Sequence, residues 1–322
     1  MVMTATPAAV ELVEVAPRDG FQSIAEPLPT ERKIQVIQAL LDAGITRMEI
    51  GSFVSPRAIP QMADTSELIH AFAHRKDVRF SALVPNLKGA ELALAHDLDE
   101  LVYVVSVSEA HNLNNVRQTV EQSLEGLSRV VEALRAKGNT TLRLGLGTCF
   151  DCPFDGTIRW QQVDDVLERA LAIIGDVPLE VALCDTTGRA SPYQVADHFT
   201  QLTERHRSST LAWAFHGHDT FGMGVANALA AVAQGATALD AASGGLGGCP
   251  FAPGATGNTA SEDLVYALQG GGLVSDIDLP RLLHAADLIA ALPGGKTESH
   301  LRRVPRDTLN RPASAPASPS TR

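Results

Sequence analysis

A short apolar run followed by an amphipathic helix recurs about eight times along this chain, and that alternation constrains the fold more than any other feature. The apolar runs fall at 12–15, 47–50, 78–84, 101–107, 142–146, 179–183, 211–215 and 239–242. Helical spacing fills the intervals. Thr30 reads as the N-cap of a helix whose apolar face is Ile34, Ile37, Leu40 and Leu41, closed by Gly44 at a left-handed position. Val120, Leu124, Leu127, Val131 and Leu134 recur at helical spacing before Gly138. Helices are also expected near 65–74, 88–96, 163–174, 192–205, 225–234 and 262–268. Alternation of this kind demands a parallel sheet with helices outside it. Eight units in 322 residues fit a closed (β/α)8 TIM barrel better than an open doubly wound sheet. No strand–GxGxxG–helix fingerprint begins the chain, which weakens the open-sheet alternative. An extra C-terminal helix at 280–292 is expected outside the barrel, and the Pro-, Ala- and Ser-rich stretch from about 311 reads as disordered. The expected division is a barrel domain at 8–300 and a tail at 301–322.

Net charge is -11 and is spread along the chain. A nucleic-acid or anionic-membrane partner demands a basic face, so neither is expected, although a local basic pocket for an anionic small molecule remains open. Four cysteines make no disulfide scaffold. Residues 1–10 lack the pattern of a secretory or transit segment, and no apolar run approaches the roughly 18–20 residues of a membrane span. A cytoplasmic protein with reduced thiols is expected.

In a barrel, catalytic groups sit at the C-terminal ends of strands. The unusual polar clusters lie there: Arg18-Asp19 after the first strand, Glu49 at the end of the second, Asp185 after the sixth and His216-Gly-His218-Asp219 after the seventh. Extended backbone would put both imidazoles on one face. A His-x-His pair is more often structural than metal-binding. Asp19 strengthens the metal reading by adding a carboxylate from a strand near the seventh in a closed barrel, and Asn258 could add an amide oxygen. Two nitrogens and two oxygens with open positions suit Mg²⁺ or Mn²⁺, with Zn²⁺ or Co²⁺ also open. Such a cation would grip a substrate hydroxyl and acidify it. Arg18, more often a surface residue type, would here clamp developing negative charge, and Glu49 either pairs with Arg18 or serves a proton path. Cys249 lies in a glycine-rich loop at 244–258 that could close over a ligand and present a thiol acid. The loop lacks the Gly-Lys-Ser/Thr ending of a phosphate loop. Cys149-x-x-Cys152 lacks the second pair that zinc needs and opens a loop rather than a helix, which counts against metal or redox use.

Together these residues resemble the 3-hydroxy-3-methylglutaryl-CoA lyase family of the metal-dependent DRE-type barrel superfamily. The resemblance runs over roughly 10–300. It is carried by Val13-Glu-Val-Ala-Pro-Arg-Asp-Gly-Phe-Gln22, Glu49-Ile-Gly-Ser-Phe-Val-Ser-Pro56, Pro60-Gln-Met-Ala-Asp64 and Pro85-Asn-Leu-Lys-Gly89. More specific are His216-Gly-His-Asp-Thr220 and Gly244-Gly-Leu-Gly-Gly-Cys-Pro250, followed by Glu262-Asp-Leu-Val-Tyr266. The resemblance implies Asp19, His216, His218 and Asn258 as ligands of a divalent cation, Arg18 at an enolate oxygen, Cys249 as the lid acid, and Glu49, Gln22 and Asp185 lining the reacting centre. Phe21, Gly51 and Gly217 depart from the family pattern, which has Leu, Thr and commonly Cys there, and the altered end of the second strand is expected to change which acyl chain fits.

The implied activity is retro-Claisen cleavage of 3-hydroxy-3-methylglutaryl-CoA to acetyl-CoA and acetoacetate, in leucine and ketone-body catabolism, with Asp19 or His216 as base. Its partner is a small acyl-CoA, and a homodimer is compatible with the family. Competing expectations are a lyase for citramalyl-CoA or 3-hydroxy-3-isohexenylglutaryl-CoA, a Claisen-type synthase, and a non-catalytic metal or redox barrel built on Cys149 and Cys152.

Overall fold

The computed structural model describes residues 10–138, 140–248, 257–274 and 276–309. Eight parallel strands close into a barrel: β1 (Glu11–Glu14), β2 (Arg47–Ser52), β3 (Arg79–Leu83), β4 (Glu100–Ser106), β5 (Thr141–Gly147), β6 (Leu179–Asp185), β7 (Leu211–Gly217) and β8 (Ala238–Ala241). β8 closes the ring against β1, with Glu11 opposite Ala238 and Glu14 opposite Ala241. The (β/α)8 expectation therefore holds. Outward strand positions supply the apolar layer; Leu142, Leu144 and Leu146 of β5 are fully buried. They meet helices that read as amphipathic because they bury one stripe.

Those helices are α1 (Thr30–Asp42), α2 (Thr65–Ala71), α3 (Leu87–Leu94), α4 (Glu109–Val116), α5 (Val120–Lys137), α6 (Trp160–Ile174), α7 (Pro192–Arg205), α8 (Gly224–Ala233), α9 (Ser261–Gly270) and α10 (Leu279–Ala290). Helix α5 begins at a Thr119–Gln122 capping box and ends at Gly138, whose φ is 87°. Thr30 is not an N-cap: Pro29 holds that position and Thr30 is the first helical residue. Its hydroxyl donates instead to Asp64 Oδ2 at 2.9 Å, beside a 2.6 Å ion pair from Lys33 to the other oxygen of Asp64. Gly44, just beyond α1, has φ 94°, and a Cβ there would lie 2.5 Å from the Asp276 carbonyl. Helix α10 packs outside the barrel on α1 and α9.

The described chain continues past 300 through a 3₁₀ turn (Leu301–Arg303) and a short helix, α11 (Arg306–Leu309), with Arg302 and Arg306 both paired to Asp287. The expected disordered stretch from 311 lies outside the described residues.

The lower interior of the barrel is ionic. Arg47 points inward and pairs with Glu11, Glu100 and Glu180 at 2.8–3.0 Å. Arg143 joins Glu180 at 2.9 Å to Asp240 at 2.6 Å. Buried charges persist only when matched, and here each cation faces at least two carboxylates.

Candidate active site

Asp19 sits in a single π-helical turn (Ala16–Gly20) directly after β1, where the amides of Asp19 and Gly20 both reach back to the Val15 carbonyl. Such turns are uncommon and recur at functional sites. The turn aims Arg18 and Asp19 into the barrel mouth. Arg18 NH1 donates to Asp19 Oδ1 at 2.5 Å and NH2 to Glu49 Oε2 at 2.9 Å, while Nε lies 2.9 Å from Glu49 Oε1. Glu49 is 2% exposed, so its charge is balanced by Arg18 rather than by water.

His216 and His218 project from the end of β7 with ring centroids 5.2 Å apart. Gly217 between them has no room for a side chain, since a Cβ would lie 2.5 Å from the Phe215 ring. The segment carrying Asn258 runs antiparallel beside this strand end: Asp219 N–H donates to the Gly257 carbonyl, Thr259 N–H donates to the Gly217 carbonyl, and His218 bridges Asn258. Asn258 Nδ2 then donates to Asp19 Oδ2 at 2.7 Å.

Ligand atoms of Asp19, His216 and His218 all lie within 4.8 Å of one another. His218 Nδ1 and Asn258 Oδ1 are buried without a hydrogen-bond partner. Two orphaned acceptors beside a carboxylate and a second imidazole form a donor set that a divalent cation fits. A second cluster, Asp164, Glu168 and His206, lies outside the barrel on α6 and at the end of α7. Arg205 already pairs with both of its carboxylates, at 2.8 and 2.7 Å, so its charge is met without an ion.

The electrostatics separate the two histidines. Burial disfavours the imidazolium of His216, but the hydrogen bond and charge of Asp240, with the charge of Asp19, outweigh it and raise its pKa. Burial and the neighbouring His216 push His218 down to about 4. Burial works to raise Asp19, yet Arg18, the two histidines and the Asn258 hydrogen bond hold it below the ordinary carboxylate value. Asp240 is likewise held low, by Arg143 and His216 against the cost of burial.

Beside the cluster opens a cavity of about 490 Å³. Arg18, Asp19, Gln22, Glu49, His216 and His218 form its polar side, and Val54, Ile59, Leu83, Val102 and Val104 its apolar side. Of the residues singled out in the sequence, the structure thus gathers Arg18, Asp19, Gln22, Glu49, His216, His218 and Asn258 at one mouth. Asp185 is elsewhere. Its carboxyl is fully buried under the β6–α7 loop, where Oδ2 accepts from Ala190 N–H at 3.1 Å, and it is not among the described residues lining the cavity. Cys249 lies outside the described residues.

Gly51 faces away from the cavity. A Cβ there would meet Thr65 Oγ1 of α2 at 2.5 Å, so the departure at the end of β2 bears on helix packing and not on the cavity lining. Cys149 and Cys152 are separate buried thiols: Cys149 donates to the Leu146 carbonyl, Cys152 to Ser108 Oγ, and burial pushes Cys149 up to about 12. Neither belongs to a metal-ligating cluster among the described residues.

Asp240 and Arg143 were not singled out from the sequence. The signal was available, for each is a lone charge at an inward position of an apolar strand. Cys184 also lines the cavity, half-buried, and carries no motif in the sequence that would mark it.

Residues 9–289 match the family model described as HMGL-like. A Chloroflexus aurantiacus protein named (R)-citramalyl-CoA lyase is 41% identical over 89% of this chain and 92% of its own length. A Danio rerio protein named 3-hydroxy-3-methylglutaryl-CoA lyase, cytoplasmic, is 35% identical over 94% of this chain and 88% of its own. A solved HMG-CoA lyase from Acenitobacter baumannii, in complex with coenzyme A and 3-methylmalate, superposes with a TM-score of 0.86 at 40% identity, covering 96% of this chain and 99% of that one. No helix among the described residues is long and apolar enough to cross a membrane.

Proposed function

The chain belongs to the HMGL-like family, the 3-hydroxy-3-methylglutaryl-CoA lyases of the DRE-type TIM barrels, and from that premise we propose that its mouth cavity cleaves 3-hydroxy-3-methylglutaryl-CoA to acetyl-CoA and acetoacetate. As a family member it is a carbon–carbon lyase. The observation that carries the substrate reading is the convergence of Asp19, His216, His218 and Asn258 beside the Arg18–Glu49 pair on one cavity.

Asp19, His216, His218 and Asn258 would hold a divalent cation, Mg²⁺ or Mn²⁺. When bound, that cation lowers the pKa of a hydroxyl placed against it. The remaining work falls to the chain's own groups. Of the two candidate bases, Asp19 keeps a carboxylate lone pair with which to take the hydroxyl proton, whereas His216 would be committed through Nδ1 to Asp240 and through its other nitrogen to the cation. As it leaves, C3 becomes a carbonyl, the C2–C3 bond breaks, and its electron pair passes to C2 as the thioester enolate. Arg18 meets that oxygen; its bonds to Asp19 and Glu49 leave one N–H on each terminal nitrogen. The Glu49 contacts hold the guanidinium plane still, so little reorganisation accompanies the step. Protonation of C2 by the Cys249 thiol, or by a water it positions, completes acetyl-CoA.

A second reading is cleavage of citramalyl-CoA by the same steps, favoured by the 41% identity to the Chloroflexus protein. The two differ in one methylene and in the acid released, acetoacetate or pyruvate. Purified protein incubated with Mg²⁺ and each thioester in turn, with acetyl-CoA and both acids quantified, tests both. Acetoacetate in step with acetyl-CoA supports the first reading, pyruvate alone moves the assignment to the second, and no acetyl-CoA from either thioester defeats both.

A further inference from the structure

Cys184 is paired in register with His216 on the neighbouring strand, so both side chains enter the cavity from adjacent strands roughly 5 Å apart. On the other side of Cys184, the inward positions of β5 are Gly145 and Gly147. A carbon built on Gly145 would lie 3.1 Å from Val104 Cγ2 and 3.9 Å from Cys184 Sγ. The cavity wall over Gly145 is thus bare backbone, bounded by a valine and a thiol that even a single added carbon would touch, next to the ligand cluster. Cys184 Sγ is directed toward the Ala182 carbonyl at 3.6 Å, which fixes the wall's position.

We propose that the recess over Gly145 receives the small alkyl substituent on the hydroxyl-bearing carbon of the substrate, and that Cys184 and Val104 limit its size. This rests on the reading that the hydroxyl-bearing carbon sits at the Asp19–His216 cluster. A secondary alcohol leaves the recess empty, a methyl fills it, and a propyl group collides with Cys184.

Two substitutions move the limit in opposite directions. Gly145 is not among the positive-φ glycines, so Gly145→Ala covers the recess without backbone strain, the Val104 side chain giving by a few tenths of an ångström; Cys184→Ala widens it. Relative kcat/KM values are measured for 3-hydroxyacyl-CoA thioesters bearing hydrogen, methyl or propyl at C3. Affinities for the corresponding thioesters lacking the hydroxyl are measured by calorimetry, independently of turnover. Gly145→Ala should shift preference from methyl toward hydrogen by about tenfold or more, the effect of one mismatched methyl-sized group. Cys184→Ala should raise the propyl-to-methyl ratio by a similar factor, with binding moving in parallel. Unchanged ratios and affinities in both variants, or in whichever one folds, overturn the recess assignment while leaving the cleavage reading intact. Absence of cleavage by the wild-type chain with any of the three overturns both.

Discussion

His216 Nδ1 lies 3.0 Å from Asp240 Oδ2, and the other oxygen of the same carboxyl accepts from Arg143 NH2 at 2.6 Å. Donation from Nδ1–H would fix the tautomer and leave the Nε2 lone pair for the cluster with Asp19 and His218. In Asp240→Asn the amide oxygen can still accept from Arg143, which leaves the NH₂ facing Nδ1. That forces the proton to Nε2 and removes the lone pair. Mn²⁺ affinity should fall by roughly 10–100-fold. Direct metal titration reads this without turnover, and unchanged affinity would show that Asp240 does not set the tautomer.

On the proposed cleavage Arg18 should matter to the rate more than to binding, because the enolate charge it would meet exists mainly in the transition state. In Arg18→Gln, kcat should fall by roughly 10²–10³-fold with KM changed only a few-fold. Steady-state kinetics decide it; a rise in KM that accounts for the whole loss in kcat/KM makes Arg18 a substrate clamp instead.

Arg47 is the keystone of the lower interior. In Arg47→Met the carboxylates of Glu100 and Glu180 lose their shared cation in a site that water cannot reach freely. The expected destabilisation is about 3–5 kcal/mol, measured by urea unfolding. A loss below about 1 kcal/mol would mean that Arg143 alone suffices to neutralise them.

Burial pushes Asp185 up to about 7 from an ordinary 3.8. The fold therefore prefers this carboxyl protonated. Its contribution to stability is fully present below about pH 4 and is lost as pH rises through 7. Asp185→Asn mimics the protonated form at every pH. The thermal midpoint of the variant should gain on the wild type from pH 5 to 8 and hold a constant lead above that. A constant difference across the whole range would show that Asp185 does not titrate in that window.

The barrel was legible because parallel strands buried on both faces read as apolar runs, and eight such runs alternate with helices. The mouth was legible because Arg18, Asp19, Glu49, His216 and His218 interrupt those runs at their C-terminal ends. What escaped lay inside the strands. Arg143, Glu180 and Asp240 occupy inward positions of alternating segments, and attention to strand ends alone passes over them. Helix α4 escaped because its sequence is mostly polar, although Ser108 accepting from His111 N–H marks its start. The direction of Gly51 could not be read at all. The register between β2 and β3 slips between Glu49 and Gly51, and a slip of one residue reverses which side of the sheet a position faces.

The contact from Asn258 to Asp19 joins residues 239 positions apart, across the seam where the last strand meets the first. During synthesis the early arginine–carboxylate pairing can form long before its distant amide neighbour exists. The cluster is therefore incomplete until the ring shuts, and a half-length fragment would carry Arg18, Asp19 and Glu49 without the two imidazoles and the amide that meet them.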